Sequence, residues 1–258
     1  EMSASLVGSE MCIRDSCKKG LYHLCDDENG FLEGGFAEYM LLPKNALIHK
    51  VSKDIPAVEA ALCEPLSCSA YAVNQTGMGM EDTVVVSGLG AIGMGMLQFA
   101  LLRNPKRVIG IDTNDALCEI AKKLGAAEVL NPMNEDVTKR IMELTDGVGC
   151  DIYMEATGNP ASVETGMNCL RKQGMLFIYS VFKKKAEIDL NQISEFKELR
   201  VIGGHLSPGA FPYTIDCLEK GKINAKVMVT DIFALNEIDE AMSAKKPDRV
   251  SIKTVLVP

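Results

Sequence analysis

The residues with the most specific chemistry form a glycine pattern, Gly88-x-Gly90-x-x-Gly93, which follows a run of three valines and a serine. Valine is β-branched and apolar, so the run predicts a buried strand, and the residues after the second glycine predict a helix. In this order the first glycine permits a tight turn, the second admits a pyrophosphate, and the third lets helix and strand pack closely. The helix would begin at Ala91 and Ile92, with its N–H groups towards the phosphates. The pattern therefore predicts a dinucleotide-binding turn.

An acidic residue stands where a ribose-binding carboxylate is expected. A second predicted strand, Arg107–Ile111, ends directly before Asp112, which lies 19 residues beyond Gly93. A carboxylate at this spacing accepts hydrogen bonds from ribose hydroxyls and repels a 2′-phosphate. The next two residues, Thr113 and Asn114, add no positive charge, so we expect NAD rather than NADP. The alternative is a plain glycine-rich turn in another kind of α/β protein, with Asp112 capping a helix.

Predicted strands and helices alternate through the middle of the chain. After the second strand, strand patterns recur over 128–131, 151–154, 175–179 and 201–204, with helix patterns between them. This alternation implies a doubly wound parallel sheet, in which ligands bind beyond the carboxyl ends of the strands. Those ends carry two further candidate cofactor groups, Ala156, Thr157, Gly158 and Ser180, Val181, Phe182. Ordinary turn chemistry is the alternative for both groups.

The two ends of the chain show a different pattern. GGFAEY at 34–39 runs on to 43 as a predicted strand of a β-rich domain, and 46–50 predicts another. A helix is expected over 55–62 with Asp54 as its N-cap, and a further strand over 226–230. Residues 1–16 fit none of these patterns and have no evident pairing partner.

Two basic side chains are weaker candidates for ligand contact. His205 follows the last predicted strand of the sheet and could contact cofactor or substrate. Lys253 alternates with apolar residues in a final strand pattern and could face the pyrophosphate. A solvated lysine is the alternative for Lys253.

Two cysteines and one glutamate have the chemistry of metal ligands. Cys17 and Cys25 bracket a short loop and could form half of a zinc site, with His23 as a third ligand. A closed structural zinc site needs four ligands, so two accessible thiols without metal are the alternative. Glu64 lies among apolar neighbours, where a carboxylate should be paired or bound to metal.

Composition excludes several classes of function. Of the 258 residues, 47% are hydrophobic and 24% charged, and the net charge of −8 argues against nucleic acids and anionic membranes as partners. Residues 83–102 carry no charge over 20 residues, but their four glycines fit a buried strand and helix better than a membrane span. The nine cysteines are scattered along the chain, and six of them sit mostly among apolar neighbours, which indicates a reducing, cytoplasmic setting.

Several motifs occur along the chain in a fixed order: CKKGLYHLC at 17–25, GGFAEY, CEPLSC at 63–68, GLGAIG with Asp112, EATG at 155–158 and the terminal SIKTVLVP. In this order they resemble the zinc-dependent medium-chain dehydrogenases, over essentially all of Cys17–Pro258. GCDIYMEATGNPASVE and KELRVIGGHLSPG are most similar to polyol dehydrogenases of the erythritol, threitol and sorbitol types. A threonine 3-dehydrogenase-like enzyme and a non-catalytic NAD-binding module are the alternatives.

The resemblance implies an α/β protein with a Rossmann doubly wound parallel sheet over 65–224. A partial GroES-like β-rich catalytic domain would comprise 17–64 and 225–258. The implied activity is NAD-dependent oxidation of a polyol or secondary alcohol to the ketose or ketone. Zinc would lower the pKa of the substrate hydroxyl, and the alkoxide would pass hydride to NAD. A homodimer or homotetramer is expected.

The resemblance also assigns roles to the metal candidates. Glu64 matches the glutamate of the catalytic zinc site, and Cys17 and Cys25 match the third and fourth cysteines of the structural zinc lobe. Met11 and Arg14 stand where its first two cysteines are expected, and the family's catalytic Cys and His-Glu pair have no counterpart. Residues 1–16 resemble translated adapter sequence. We therefore expect a non-native leader on a truncated copy that binds NAD weakly or not at all and turns over poorly.

Overall fold

A computed structural model describes residues 4–9, 22–24, 35–42, 46–243 and 250–258. Contacts divide the chain into two compact units. The terminal unit comprises Glu1–Tyr71 and Leu206–Pro258, and the central unit comprises Ala72–His205. The central unit is shorter at both ends than the predicted 65–224 domain. Within the described ranges, no helix is long and apolar enough to cross a membrane.

The terminal unit begins with a strand pair. β1 (Ala4–Ser9) is antiparallel to β2 (Ala46–Lys50), so the expectation that residues 1–16 lack a pairing partner is wrong for this segment. The predicted strand through 34–43 is also wrong, because the described residues 35–42 form bends and irregular backbone. In that segment Tyr39 and Leu41 are 91% and 94% exposed, so the apolar side chains that suggested a strand bury little surface.

Two helices follow β2, namely α1 (Ala57–Ala60) and α2 (Cys63–Thr76). The predicted cap is wrong: α1 has Pro56 as its N-cap, while Asp54 accepts a hydrogen bond from Ser52 Oγ at 3.1 Å. The break before α2 places Glu64 and Pro65 in its first turn, where the missing N–H of proline costs no helical bond.

The central unit is built on six parallel strands: β3 (Thr83–Ser87), β4 (Arg107–Ile111), β5 (Glu128–Leu130), β6 (Cys150–Glu155), β7 (Leu170–Ile178) and β8 (Arg200–Gly203). Their order across the sheet is β5-β4-β3-β6-β7-β8. The order reverses between β3 and β6, so the chain winds outward in both directions from the middle of the sheet. The predicted doubly wound parallel sheet is confirmed, and its switch point lies at the carboxyl end of β3.

Burial explains why these segments are strands. Val84, Val85 and Val86 are fully buried on both faces of the sheet, as expected when helices cover a parallel sheet on two sides. In register, Val84 lies opposite Val108 on β4 and Ile152 on β6. The apolar side chains of the central strands therefore form a continuous core that fixes the register.

Four helices connect the strands: α3 (Ala91–Leu102), α4 (Asp115–Leu124), α5 (Val137–Leu144) and α6 (Pro160–Cys169). The uncharged stretch 83–102 is thus β3, a turn and α3, and eight residues of α3 are buried. Asn114 caps α4 by accepting from Ala116 N at 2.9 Å, so Asp112 does not cap this helix. A π-helical turn covers Gln192–Phe196.

The chain then returns to the terminal unit as α7 (Phe211–Glu219), β9 (Val229–Ala234), α8 (Ile238–Ser243) and β10 (Lys253–Val257). β9 and β10 are parallel. The strand predicted over 226–230 begins only at Val229, because Lys226–Met228 forms a 3-10 helix. Two further 3-10 helices are Tyr22–Leu24 and Leu235–Glu237.

Candidate functional site

The glycine turn between β3 and α3 has no room for side chains at two of its three glycines. Gly88 has φ +90°, and a Cβ built on it would lie 2.8 Å from the carbonyl carbon of Ala156. A Cβ on Gly93 would lie 1.6 Å from the carbonyl oxygen of Gly88. By contrast, a Cβ on Gly90 would meet no described atom within 4 Å. The first and third glycines are therefore needed for packing, and the second leaves an open position at the backbone.

The same turn exposes the start of α3. Gly90 is the N-cap, and the described side chains provide no capping hydrogen bond to this helix. The first turn, formed by Ala91, Ile92 and Gly93, contains no acidic residue. An uncapped helix start carries partial positive charge and N–H donors, so it suits an anionic ligand such as a phosphate.

Asp112 lies beside this turn at the carboxyl end of β4. Its Oδ2 accepts from Leu89 N at 2.7 Å, and its Oδ1 accepts from Asn114 N at 2.9 Å. One half-buried carboxylate thus joins the glycine turn to the loop after β4. This position beside the open Gly90 backbone suits a ribose whose hydroxyls would donate to the carboxylate.

The group at the carboxyl end of β6 meets the glycine turn directly. Ala156 N donates to Ser87 O at 2.8 Å. Thr157 is exposed, and its methyl group would lie 2.9 Å from a Cβ on Gly88. Gly158 has φ +70°, so the chain turns sharply before α6. These residues form the second wall of the candidate site.

The group at the carboxyl end of β7 continues this wall. Ser180 Oγ donates to Glu155 O at 3.4 Å, and a Cβ on Gly158 would lie 2.7 Å from Val181 O. Val181 itself is 90% exposed, and Phe182 packs against the buried core. The structure therefore brings the predicted cofactor residues of the central unit together along one edge of its sheet.

Buried hydroxyl groups lie beneath this edge. Ser87 Oγ and Ser162 Oγ are 2.9 Å apart, and Tyr153 Oη lies 3.3 Å from Ser162 Oγ. Burial raises the pKa of the fully buried Tyr153, against a smaller opposite effect of its hydroxyl neighbours. The neutral phenol therefore persists at any ordinary pH and serves to anchor α6 to β3 and β6.

The remaining predicted residues do not belong to this cluster. His205 is the exposed last residue of the central unit. Lys253 lies at the start of β10 in the terminal unit, where its carbonyl accepts from Thr230 Oγ1 at 3.3 Å. Cys17 and Cys25 lie outside the described residues.

Glu64 lies in the first turn of α2, in the terminal unit. Its half-buried carboxylate accepts from Cys68 Sγ through Oε1 at 3.2 Å. Next to it, burial and then the charge of Glu219 raise the pKa of Cys63 to about 11. That thiol therefore stays protonated at neutral pH. In the described part of the chain, no three His, Cys, Asp or Glu side chains are grouped closely enough to hold a metal.

Sequence reasoning missed one residue of the site. Glu155, the last residue of β6, is fully buried. Its Oε1 accepts from Thr157 N at 2.7 Å and from Gly158 N at 3.1 Å, and also from the Thr157 hydroxyl. An acid directly after the three apolar residues Ile152, Tyr153 and Met154 of β6 was the available signal.

Comparison with known proteins gives consistent matches. The family model described as zinc-binding dehydrogenase matches residues 91–220. Erythritol/L-threitol dehydrogenase of Mycolicibacterium smegmatis is 41% identical over 247 residues, which cover 94% of this chain and 68% of that protein. L-threonine 3-dehydrogenase of Pyrococcus abyssi is 32% identical over 246 residues, covering 91% of this chain and 70% of that protein.

A solved structure matches nearly the whole chain. It is a Sinorhizobium meliloti 1021 protein described as a zinc-binding dehydrogenase and bound to NADP, with 27% identity and a TM-score of 0.87. The match covers 98% of this chain and 76% of that chain.

Proposed function

The chain belongs to the zinc-binding dehydrogenase family, and from that premise we propose that it is an NAD-linked oxidoreductase for a polyol or related secondary alcohol. The product is the corresponding ketose or ketone. A four-carbon polyol of the erythritol or threitol type is the first candidate substrate, because the 41% identical relative is named for those compounds. An amino-acid alcohol such as L-threonine is the second, supported by a 32% identical relative.

The observation that carries this proposal is the bond between Asp112 and the glycine turn. Leu89 N donates to Asp112 Oδ2 at 2.7 Å, so an anion-binding helix start and a ribose-binding carboxylate lie side by side. The open position at Gly90 is where a pyrophosphate would approach the backbone.

The cofactor fits these residues. Gly88, Gly90, Ala91, Ile92 and Gly93 would hold the pyrophosphate, and Asp112 would hold the adenosine ribose. The groups 156–158 and 180–182 would line the nicotinamide end. Bound NAD supplies the hydride acceptor. The protein's own part is to orient the dinucleotide along the sheet edge.

The preference for NAD over NADP rests on charge. A 2′-phosphate would face the Asp112 carboxylate, and Thr113 and Asn114 offer it no cation. The Sinorhizobium meliloti relative holds NADP, so the preference of this chain depends on its own Asp112 environment. Lys253 remains a proposed pyrophosphate contact, and His205 a weaker one.

Zinc belongs to the proposed activity as a family property. Glu64 is the proposed ligand of a catalytic zinc, and Cys17 and Cys25 are proposed ligands of a structural zinc. The described residues alone do not fit a catalytic zinc, since Glu64 is a single prospective ligand without two companions. No proton or hydride step through the metal follows from them.

The terminal unit is the proposed partial GroES-like catalytic domain. Its two strand pairs support a β-rich assignment, and it uses both ends of the chain, as the resemblance implies. We also propose a cytoplasmic location, which six free buried cysteines among the described residues support.

We propose that the chain assembles into homodimers or homotetramers through the edge of the central sheet. β8 pairs only with β7 among the described strands, and Val201 on it is 40% exposed. An open, partly apolar edge strand offers pairing to a second copy. Light scattering of the purified chain checks the mass.

Substrate turnover tests the proposed function. Purified chain with zinc and NAD is offered erythritol, L-threitol, sorbitol and L-threonine, and NADH is measured by its absorbance. The expected result is slow reduction of NAD with the polyols, and none in matched samples without alcohol. Faster reduction with L-threonine would replace the polyol proposal, and NADH binding without any turnover would indicate a non-catalytic module.

A further inference from the structure

Glu155 is a fully buried carboxylate that the proposed chemistry does not use. It ends β6, directly after Tyr153 and Met154, which are also fully buried. A side chain needed only to fill this space would be apolar like those two, because removing a carboxylate from water is costly without compensating bonds. The compensating bonds of Glu155 therefore indicate its role.

Those bonds all go to one short turn. Oε1 accepts from Thr157 N at 2.7 Å, from Gly158 N at 3.1 Å and from the Thr157 hydroxyl. The same hydroxyl accepts from Asn159 N at 2.9 Å. Three donors converge on a single oxygen, an arrangement that favours a charged acceptor.

The second carboxylate oxygen has no such role. Oε2 is buried and has no hydrogen-bond partner among the described residues. A buried, unpaired acceptor is destabilising and is uncommon in folded proteins. Because the folded chain buries Glu155 despite this cost, we infer that the hydrogen bonds of Oε1 stabilise the turn by more than the unpaired Oε2 destabilises it.

The turn held by Glu155 lies between the other two turns of the candidate site. Ala156 N donates to Ser87 O next to the glycine turn, and Glu155 O accepts from Tyr179 N at 3.1 Å before the 180–182 group. Gly158 has φ +70°, a conformation that glycine adopts readily, and it packs closely against the backbone of Val181. The backbone at 155–156 thus connects both neighbouring turns, and the Glu155 carboxylate holds the turn between them.

We infer that Glu155 is a positioning residue, whose buried carboxylate holds the turn 156–158 in the conformation that meets the dinucleotide. The inference rests on the proposed function, because it assumes that a dinucleotide binds at this edge. Glu155 itself does not contact the cofactor. It fixes the backbone before the ligand arrives, so less ordering remains to be done on binding.

The same strand offers a matched control. Asp151, near the opposite end of β6, accepts from Thr83 N at 2.7 Å and pairs with Arg171 at 2.5 Å. Like Glu155 it is a carboxylate that bonds backbone N–H, but it lies at the amino ends of the strands, away from ligands. Asp151→Asn should change stability without changing cofactor affinity.

The test compares Glu155→Ala, Glu155→Gln and Asp151→Asn with the unaltered chain. NADH affinity is measured by fluorescence titration, amide exchange at Thr157 and Gly158 by NMR, and folding by thermal unfolding. We expect Glu155→Ala to weaken NADH binding about tenfold or more and to speed exchange at both amides. Glu155→Gln keeps an acceptor oxygen and should recover most of the affinity, while Asp151→Asn should bind NADH as the unaltered chain does.

Each outcome decides a separate question. If NADH binds the unaltered chain and Glu155→Ala equally well, the inference is wrong. If Glu155→Ala fails to fold, Glu155→Gln decides the inference. Its neutral amide oxygen is a weaker acceptor than the carboxylate, so the Thr157 and Gly158 amides should exchange somewhat faster than in Asp151→Asn, and equal exchange would overturn the inference. If the unaltered chain binds no NADH, the cofactor proposal fails, and unchanged exchange at Thr157 and Gly158 in the Glu155 variants would overturn the positioning role independently.

Discussion

The sheet edge of the central unit and the Glu64 region of the terminal unit carry the two halves of the proposed chemistry, and they are built differently. At the sheet edge, separate turns are joined by bonds such as Leu89 N to Asp112 and Ala156 N to Ser87. Around Glu64, the carboxylate accepts from one thiol, that of Cys68. A cofactor site at adjacent strand ends is thus organised by the sheet itself. A metal site instead depends on ligands from distant segments of the chain.

Replacing Gly93 by alanine should break the sheet-edge site most severely. The new Cβ would lie 1.6 Å from the Gly88 carbonyl oxygen, a backbone atom that cannot move without opening the turn. We expect a loss of more than about 4 kcal/mol in the free energy of unfolding and no measurable NADH binding. Chemical denaturation and NADH titration check both.

Gly90→Ala is the matched control for that variant. A Cβ there meets no described atom within 4 Å, so stability should change by less than about 1 kcal/mol. NADH affinity should nevertheless fall, because the methyl group occupies the position open to the pyrophosphate. Equal stability losses in the two variants would contradict the assigned roles of the glycines.

Alkaline pH should destabilise the central unit more than the terminal unit. Burial raises the pKa of Cys118 and of Cys169 to about 11 and raises that of Cys150, all three in the central unit, and in the terminal unit it raises that of Cys63. A raised pKa in the folded state gives stability that is complete below the unfolded value of 9.0 and is lost as pH rises towards 11.

Denaturation between pH 8 and pH 11 measures this loss. Each buried thiol should contribute at most about 1.4 kcal/mol per pH unit above its unfolded pKa. The double variant Cys118→Ala, Cys169→Ala should flatten the dependence more than Cys63→Ala does. If Cys63→Ala flattened the pH dependence of stability more than the double variant does, the expected difference between the two units would be contradicted.

Asp112→Asn should weaken the discrimination between NADH and NADPH. The substitution removes the charge that repels a 2′-phosphate and weakens the bond from Leu89 N. We expect NADH affinity to fall about tenfold, and the preference over NADPH to narrow. Glu119→Gln, an exposed change on α4, should alter neither. If the ratio of the NADH and NADPH affinities is unchanged in Asp112→Asn, then Asp112 does not determine the cofactor preference.

Glu64→Gln should have the smallest effect on cofactor binding. The amide can still accept from the Cys68 thiol, so the free energy of unfolding should change by less than about 1 kcal/mol. NADH affinity should stay the same, while zinc retained after dialysis should fall. Zinc retention equal to that of the unaltered chain would show that Glu64 is not a ligand.

The elements of the central unit could be predicted because their signals are local. Three buried valines define β3, and the strand predicted at Arg107–Ile111 has the observed bounds of β4. The doubly wound parallel sheet followed from the alternation of strands and helices, since parallel strands need crossover connections. The cofactor groups could be located because the carboxyl ends of parallel strands meet at one edge.

The remaining features depend on contacts that a sequence does not display. The burial of Glu155 and its three hydrogen bonds arise from the fold of the turn that follows it. The local sequence therefore gave only a weak signal of the role of Glu155. The pairing of β1 with β2 joins segments about forty residues apart and has no periodic signature. In 35–42, apolar residues suggested a strand, but pairing decides strand formation, and no such pairing is seen among the described residues.

Parallel titrations of the unaltered chain with NADH and with NADPH test the central claim most directly. Asp112 lies beside the uncapped start of α3 and the open backbone of Gly90. We expect saturable NADH binding, however weak, with NADPH bound at least about tenfold less tightly. Equal or tighter binding of NADPH would contradict the role of Asp112, and binding of neither would contradict the dinucleotide site itself.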